Sequence, residues 1–163
     1  MINGNRKLVQ QIFRNARFID LLGIELTSFG LGWCETRLRS SRALQQQHGF
    51  IHAGVLMTIA DHTCGGAAAS TVSEEADVIT VENKTSFLRP ATSSVVVCRA
   101  EVLRSGKNLV FVEAVVTAEN KEGTVLIAKA SSTLAVIPRN RPMRSKKDKS
   151  ATHKNIGKNG MRS

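Results

Sequence analysis

Tyrosine is absent from this 163-residue chain, and tryptophan occurs once. Aromatic residues make up only 4% of it, so stacking platforms for single-stranded nucleic acid are not available. A core has to be filled by Val, Ile, Leu and Ala instead. Cysteine is scarce as well. Cys34, Cys64 and Cys98 are odd in number and widely spaced, which makes neither a zinc pattern nor a disulfide framework. A reducing, cytoplasmic location is the expectation. Apolar runs of membrane-spanning length are missing too, because Asp61 and His62 interrupt the longest candidate. The first residues, "MINGNRKLVQQIFRNARF", carry charges where a signal peptide needs its apolar stretch. Gly-x-Ser-x-Gly does not occur, and a serine hydrolase has no support.

Acidic residues are nearly missing from one region. Residues 139–163 hold nine Lys or Arg and a single Asp, whereas the remainder holds 14 basic and 12 acidic residues. The net charge of +10 therefore resides mostly in a tail. Having almost no apolar residues, the tail is read as a solvated, disordered extension. Contact with nucleic acid, acidic lipid or an acidic partner is the alternative. Residues 1–138 are read as one domain, a length sufficient for a single core.

Within that domain, Val9, Ile12, Phe13, Ala16, Ile19 and Leu22 recur at helical spacing, and Gly23 follows as a stop. The pattern predicts one helix over about 8–22. Two short strands flank the Gly30-Leu31-Gly32 turn. Residues 52–70 predict a second helix, small or apolar on nearly every side and hence enclosed. After residue 76 the period becomes two. Four strands follow, separated by Pro90 and by the turn signals "SGKN" and "NKEG", and Pro138 closes the last. A meander with one apolar face must cover something, and the 52–70 helix is the large apolar partner available. The predicted class is α+β, an antiparallel sheet wrapped around a central helix.

Four segments, in order, resemble the hotdog-fold thioesterases. They are closest to the phenylacetate-degradation (PaaI-type) branch of the 4-hydroxybenzoyl-CoA thioesterase superfamily. "QQHGFIHAG" resembles that family's Asn-x-x-Gly-x-x-His-Gly-Gly approach to the helix. "LMTIADHTCGGAA" resembles its helical segment with the catalytic acid. "TVENKTSFLRPA" resembles the strand ending in Arg-Pro, and "VLRSGKNLVFVEAVV" the Gly-Lys turn. Two positions depart from the pattern: Gln46 stands for Asn, and Ala53 for the first Gly after the histidine. The resemblance spans roughly residues 20–137 and implies hydrolysis of an acyl-CoA thioester without a resident cofactor or metal.

Thioester hydrolysis needs a nucleophile and a donor for the developing oxyanion. Asp61, a carboxylate inside an enclosed helix, suits a general base for water or a direct nucleophile. The backbone N–H of Ala53 or Gly54 at the helix start suits an oxyanion donor. Gly49 permits an unusual backbone on the approach. Gln46 would orient the water or the carbonyl, and His52 would support the helix start by bonding the loop around Gln46. The resemblance adds Thr80, which helps place the water in some family members. Arg89 and the turn at Gly106 and Lys107 are candidates for the phosphates of coenzyme A. Met57, Phe50 and Phe87 are candidates to shape the acyl pocket. Cys64 is read as packing.

Ala53 and Asp61 are eight residues apart, or roughly 12 Å along a helix axis. One thioester carbonyl cannot reach both. A homodimer with antiparallel central helices would make composite sites. The resemblance implies the same arrangement, often as a dimer of dimers and so a homotetramer. The competing reading is a non-catalytic acyl-CoA-binding regulator with a nucleic-acid-binding tail.

Overall fold

The computed structural model describes residues 5–120 and 123–139. Helix α1 (Arg6–Asn15) and helix α2 (Arg17–Leu22) lead into strands β1 (Ile24–Gly30) and β2 (Trp33–Arg39). A short 3-10 turn (Arg42–Leu44) precedes helix α3 (Ala53–Ala69). Strands β3 (Ala76–Phe87), β4 (Val95–Ser105), β5 (Leu109–Asn120) and β6 (Gly123–Pro138) complete the chain. The sheet is antiparallel, in the order β1-β2-β4-β5-β6-β3, and α3 touches all six strands. The α+β sheet around a central helix is thus the observed architecture. Among the described residues, no helix is long and apolar enough to cross a membrane.

Two sequence expectations need correction. The single helix over 8–22 is two helices, because Ala16 leaves the helical region at φ −87° and ψ 85°. The break lets α1 press Leu8 and Val9 against Ala69 while α2 turns Ile19 into the main core. Nor are the last four strands consecutive neighbours. Only β4, β5 and β6 form a meander, and β3 pairs with β6 at the far edge. The link from β3 to β4 runs past the start of α3, where Ile51 N–H donates to Ala91 O at 3.1 Å. That crossing carries the chain from the β3 edge past β6 and β5 to β4.

Small side chains let α3 sit close to the sheet. A Cβ on Gly66 would lie 2.7 Å from Cys34 Sγ and 2.9 Å from Phe13 Cε2, whereas one on Gly65 would meet nothing within 4 Å. Close packing therefore accounts for Gly66 and not for Gly65. The buried pair Thr36 and Thr63 share a 2.6 Å hydroxyl hydrogen bond between β2 and α3, which satisfies both within the core. One stripe of α3 escapes the enclosure expected of it. Gly54, Met57, Thr58, Asp61, His62 and Gly65 are half-buried or exposed, at the three- and four-residue spacing of a single helix face.

Candidate active site

The helix start is built by a tight loop. Gln46 N–H donates to Phe50 O at 2.8 Å, and Gly49 N–H to Gln46 O at 2.9 Å. Gly49 takes φ +82°, the left-handed conformation that favours glycine at this turn. Gln46 Oε1 accepts from His48 N–H at 2.5 Å, which fixes the side chain and leaves its amide N–H groups to donate outward.

His52 is the N-cap of α3. Its Nδ1 accepts from Gly54 N–H at 2.9 Å, while its backbone N–H donates to Leu44 O at 2.9 Å. The tie to the preceding loop is thus made by the backbone, and the imidazole caps its own helix. This has a consequence for the two candidate oxyanion donors. The N–H of Gly54 is occupied by the cap. The N–H of Ala53, the first helical residue, lies beyond the reach of any intrahelical carbonyl and points out of the helix start with the positive end of the dipole.

Gln46, Ala53 and Arg89 line one open cavity of about 330 Å³, together with Phe50, Leu56 and Phe87. Arg89 is anchored there, its Nη1 donating to Leu126 O at 3.1 Å. Asp61 and Thr80 line a different cavity, of about 530 Å³. Its polar wall is Thr58, Asp61, His62, Thr80 and Asn83, and its apolar wall is Ala16, Phe18, Ile19 and Met57. The structure thus brings Asp61 to Thr80, and Gln46 to Ala53 and Arg89. It does not bring the two groups together within one chain.

Gly106 and Lys107 stand apart from both. Their turn lies by the other end of α3, where Thr71 Oγ1 donates to Ser105 Oγ at 3.0 Å. The N–H of Gly106 already donates to Leu109 O at 2.9 Å, so it is not free for a phosphate.

The Asp61 carboxyl is electrostatically perturbed. Its Oδ1 is buried and, among the described residues, accepts no hydrogen bond. Burial pushes its pKa above the usual carboxylate range, and the side chains of Thr80 and Asn83 pull it back in part. A structural aspartate would be paired; an unpaired oxygen at a cavity is poised to accept a proton. His62, next along the helix, is held neutral by burial, its pKa lowered to about 4. Its ring meets Phe13 edge-on at 4.5 Å, and its Nε2 has no hydrogen-bond partner among the described residues. Cys64 is fully buried and its thiol is pushed up to about 12, which suits packing and not attack.

Sequence reasoning missed Asn83 and the α2 wall. Strict alternation along β3 puts Glu82, not Asn83, on the face of Thr80, and only the bulge described below reverses that. Ala16, Phe18 and Ile19 reach the cavity because of the break at Ala16, which the helical spacing conceals.

The profile of the thioesterase superfamily matches residues 48–125. A thioesterase family protein from Silicibacter pomeroyi has a solved structure that matches with a TM-score of 0.80 at 36% identity, covering 83% of this chain and 99% of that one. A 1,4-dihydroxy-2-naphthoyl-CoA hydrolase from Listeria monocytogenes is 26% identical, over 72% of this chain and 93% of its own. A solved thioesterase from Haemophilus influenzae shares the fold, with a TM-score of 0.74 at 23% identity over 87% of this chain and 99% of that one.

Proposed function

The chain belongs to the thioesterase superfamily, and from that premise we propose that it hydrolyses an acyl-CoA thioester to a free acid and coenzyme A. The observation that carries this reading is Asp61, a half-buried carboxylate with a buried, unpaired oxygen, beside Thr80 in a half-apolar cavity. Its raised pKa makes it a better base near neutrality than a solvated aspartate. Acting on water, Asp61 takes a proton as the oxygen adds to the thioester carbon. Acting directly, its own oxygen adds there, and the mixed anhydride that remains once sulfur has left is cleaved by a water to the free acid and the Asp61 carboxylate. In either route the C–S bond breaks as the tetrahedral intermediate collapses, and the coenzyme A sulfur leaves as a thiol once protonated.

The oxyanion needs a donor that the Asp61 cavity does not supply from its own chain. Ala53 N–H and the Gln46 amide are suited to that role but line the other cavity. A homodimer with antiparallel α3 helices supplies them from a second copy, with Arg89 on the same side for a coenzyme A phosphate. The uncovered stripe of α3 from Gly54 to Gly65 supports that arrangement. The apolar wall of Phe18, Ile19 and Met57 would take the acyl part. The Listeria relative is named for hydrolysis of 1,4-dihydroxy-2-naphthoyl-CoA, which makes aromatic acyl groups the first class to test.

The test is a panel of aryl, medium-chain and long-chain acyl-CoAs, read by release of free thiol. Turnover is expected for the wild type. Asp61→Asn is expected to lower kcat by about 10²–10⁴ with a smaller change in KM. A folded Asp61→Asn protein with wild-type turnover would exclude Asp61. Binding of acyl-CoA without any turnover would favour the regulator.

A further inference from the structure

Thr80 and Asn83 face the same cavity although they are three residues apart on one strand. An unbroken strand cannot do this, because side chains alternate. The register between β3 and β6 shifts between Thr80 and Glu82, so Val81 is an extra residue that reverses the parity of everything after it. Burial follows the shift. Val78 and Thr80 are half-buried, and so are Asn83 and Thr85, while Ile79, Val81 and Glu82 are exposed.

The amide of Asn83 is fixed from two sides. Its Nδ2 donates to Ser132 Oγ on β6 at 2.7 Å, and its Oδ1 accepts from Thr85 Oγ1 at 2.8 Å. Ser132 is itself buried, so the tether is protected from competing water. A primary amide has two N–H donors, and one of them is left over. Across the cavity stands the Asp61 carboxyl, on which the Thr80 and Asn83 side chains act while its buried Oδ1 accepts from neither and stays open to a proton.

We propose that Asn83, tethered by Ser132 and Thr85, is a positioning residue that gives its remaining N–H to the Asp61 carboxylate and holds it in line with the reacting carbon. The other groups around Asp61 leave that task to amide and hydroxyl. His62 and Cys64, on its own helix, are neutral. Ala16, Phe18 and Ile19, facing it from the α2 side, are apolar, and Thr80 and Asn83 are what β3 presents. Asn83 already acts on the carboxyl in the expected sense, lowering a pKa that burial raises. The inference deepens the thioesterase reading and rests on it for any effect on rate.

The experiment follows the side-chain carboxyl of Asp61 by carbon-13 NMR titration in the wild type, Asn83→Leu and Ser132→Ala, beside kcat and its pH profile. Loss of the donor should move the Asp61 midpoint upward in Asn83→Leu, and less far in Ser132→Ala, where the amide is only released. The acidic limb of the pH profile should move the same way, and kcat in Asn83→Leu should fall about tenfold or more through misalignment. An unmoved midpoint in folded Asn83→Leu overturns the proposal. Should that variant not fold, an unmoved midpoint in Ser132→Ala overturns it equally. A midpoint that moves in a protein without thioester turnover would sink the thioesterase reading and leave the positioning role standing. Turnover with an unmoved midpoint would do the reverse.

Discussion

Ala53 and Asp61 lie on one helix, eight residues apart, yet they line different cavities. Neither cavity contains both a base and a free helix-start N–H. A complete site would therefore combine Asp61 and Thr80 of one chain with Gln46 and Ala53 of another.

Subunit exchange tests that combination. Asp61→Asn is expected to be inactive, and so is a variant with Gln46 and His52 both changed to Ala. Mixed after exchange, each heterodimer would hold one intact site, so activity should return at up to about half of the heterodimer sites, by the two-fold symmetry. Demonstrated exchange without recovered turnover, or an active monomer, would contradict the composite site.

How much of this was legible in the sequence depends on which residues carry the signal. Period-two and helical spacing give the strands and α3 to within a few residues, because burial of one face dictates the pattern. Asp61 is legible for the opposite reason: it violates the pattern of an apolar helix. Asn83 is not legible, since a one-residue bulge leaves no mark in composition and reverses the faces after it. The break at Ala16 is hidden likewise, alanine being a good helix former that tertiary contacts override. Between Ala53 and Gly54 as donors the sequence offers no choice, and it is a single hydrogen bond, Gly54 N–H to His52 Nδ1, that favours Ala53.

The two adjacent glycines of α3 predict opposite outcomes. Gly66→Ala forces a methyl against Cys34 Sγ and Phe13, and should cost about 1–3 kcal/mol of stability despite better helix propensity. Gly65→Ala meets nothing in its own chain and should not destabilise the fold, with a gain of up to about 1 kcal/mol. Urea unfolding of the two variants checks the contrast. Equal losses in both would mean that the Gly65 face is covered as tightly as that of Gly66.

His62 makes stability depend on pH, with a definite sign. Its pKa falls from 6.5 to about 4 in the fold. Between those values the unfolded chain takes up a proton that the folded chain refuses. The contribution of His62 is therefore complete above about pH 6.5 and is lost as pH falls toward 4, by something on the order of 3 kcal/mol. Asp61 acts in the opposite sense: its raised pKa means stability is lost as pH rises above 3.8. Thermal melts in an Asp61→Asn background isolate the histidine. There, His62→Phe, which keeps a ring against Phe13, should flatten the acid slope between those two pH values. The same slope in both proteins would assign it elsewhere.

The last expectation concerns where the folded body stops. The composition break at Pro138 suggests that everything beyond is dispensable, but Arg139 belongs to the fold. Its backbone N–H donates to Glu75 O at 2.7 Å. Its Nη1 donates to Glu74 O at 3.0 Å and its Nη2 to Gln11 Oε1 at 2.7 Å, while Nε lies 3.4 Å from Asp77 Oδ1. One side chain thus joins the end of β6, the loop before β3 and the outer face of α1. The ion pair with Asp77 is partly exposed on both sides and contributes little alone. The bonds to Glu74 O and Gln11 are charge-assisted and share a single anchored guanidinium, which makes them worth more together. Residues 140–163, the rest of the basic tail, lie outside the described residues. A chain ending at Arg139 is expected to melt and turn over like the full-length protein. A chain ending at Pro138 should melt several degrees lower, for a loss of about 1–2 kcal/mol in a domain of this size. Because α2 walls the Asp61 cavity through Phe18 and Ile19, and Phe13 of α1 packs on the His62 ring beside it, its KM should rise as well. Equal melting of the two truncations would place the boundary at Pro138, and a loss of turnover on ending at Arg139 would draw the tail into the site.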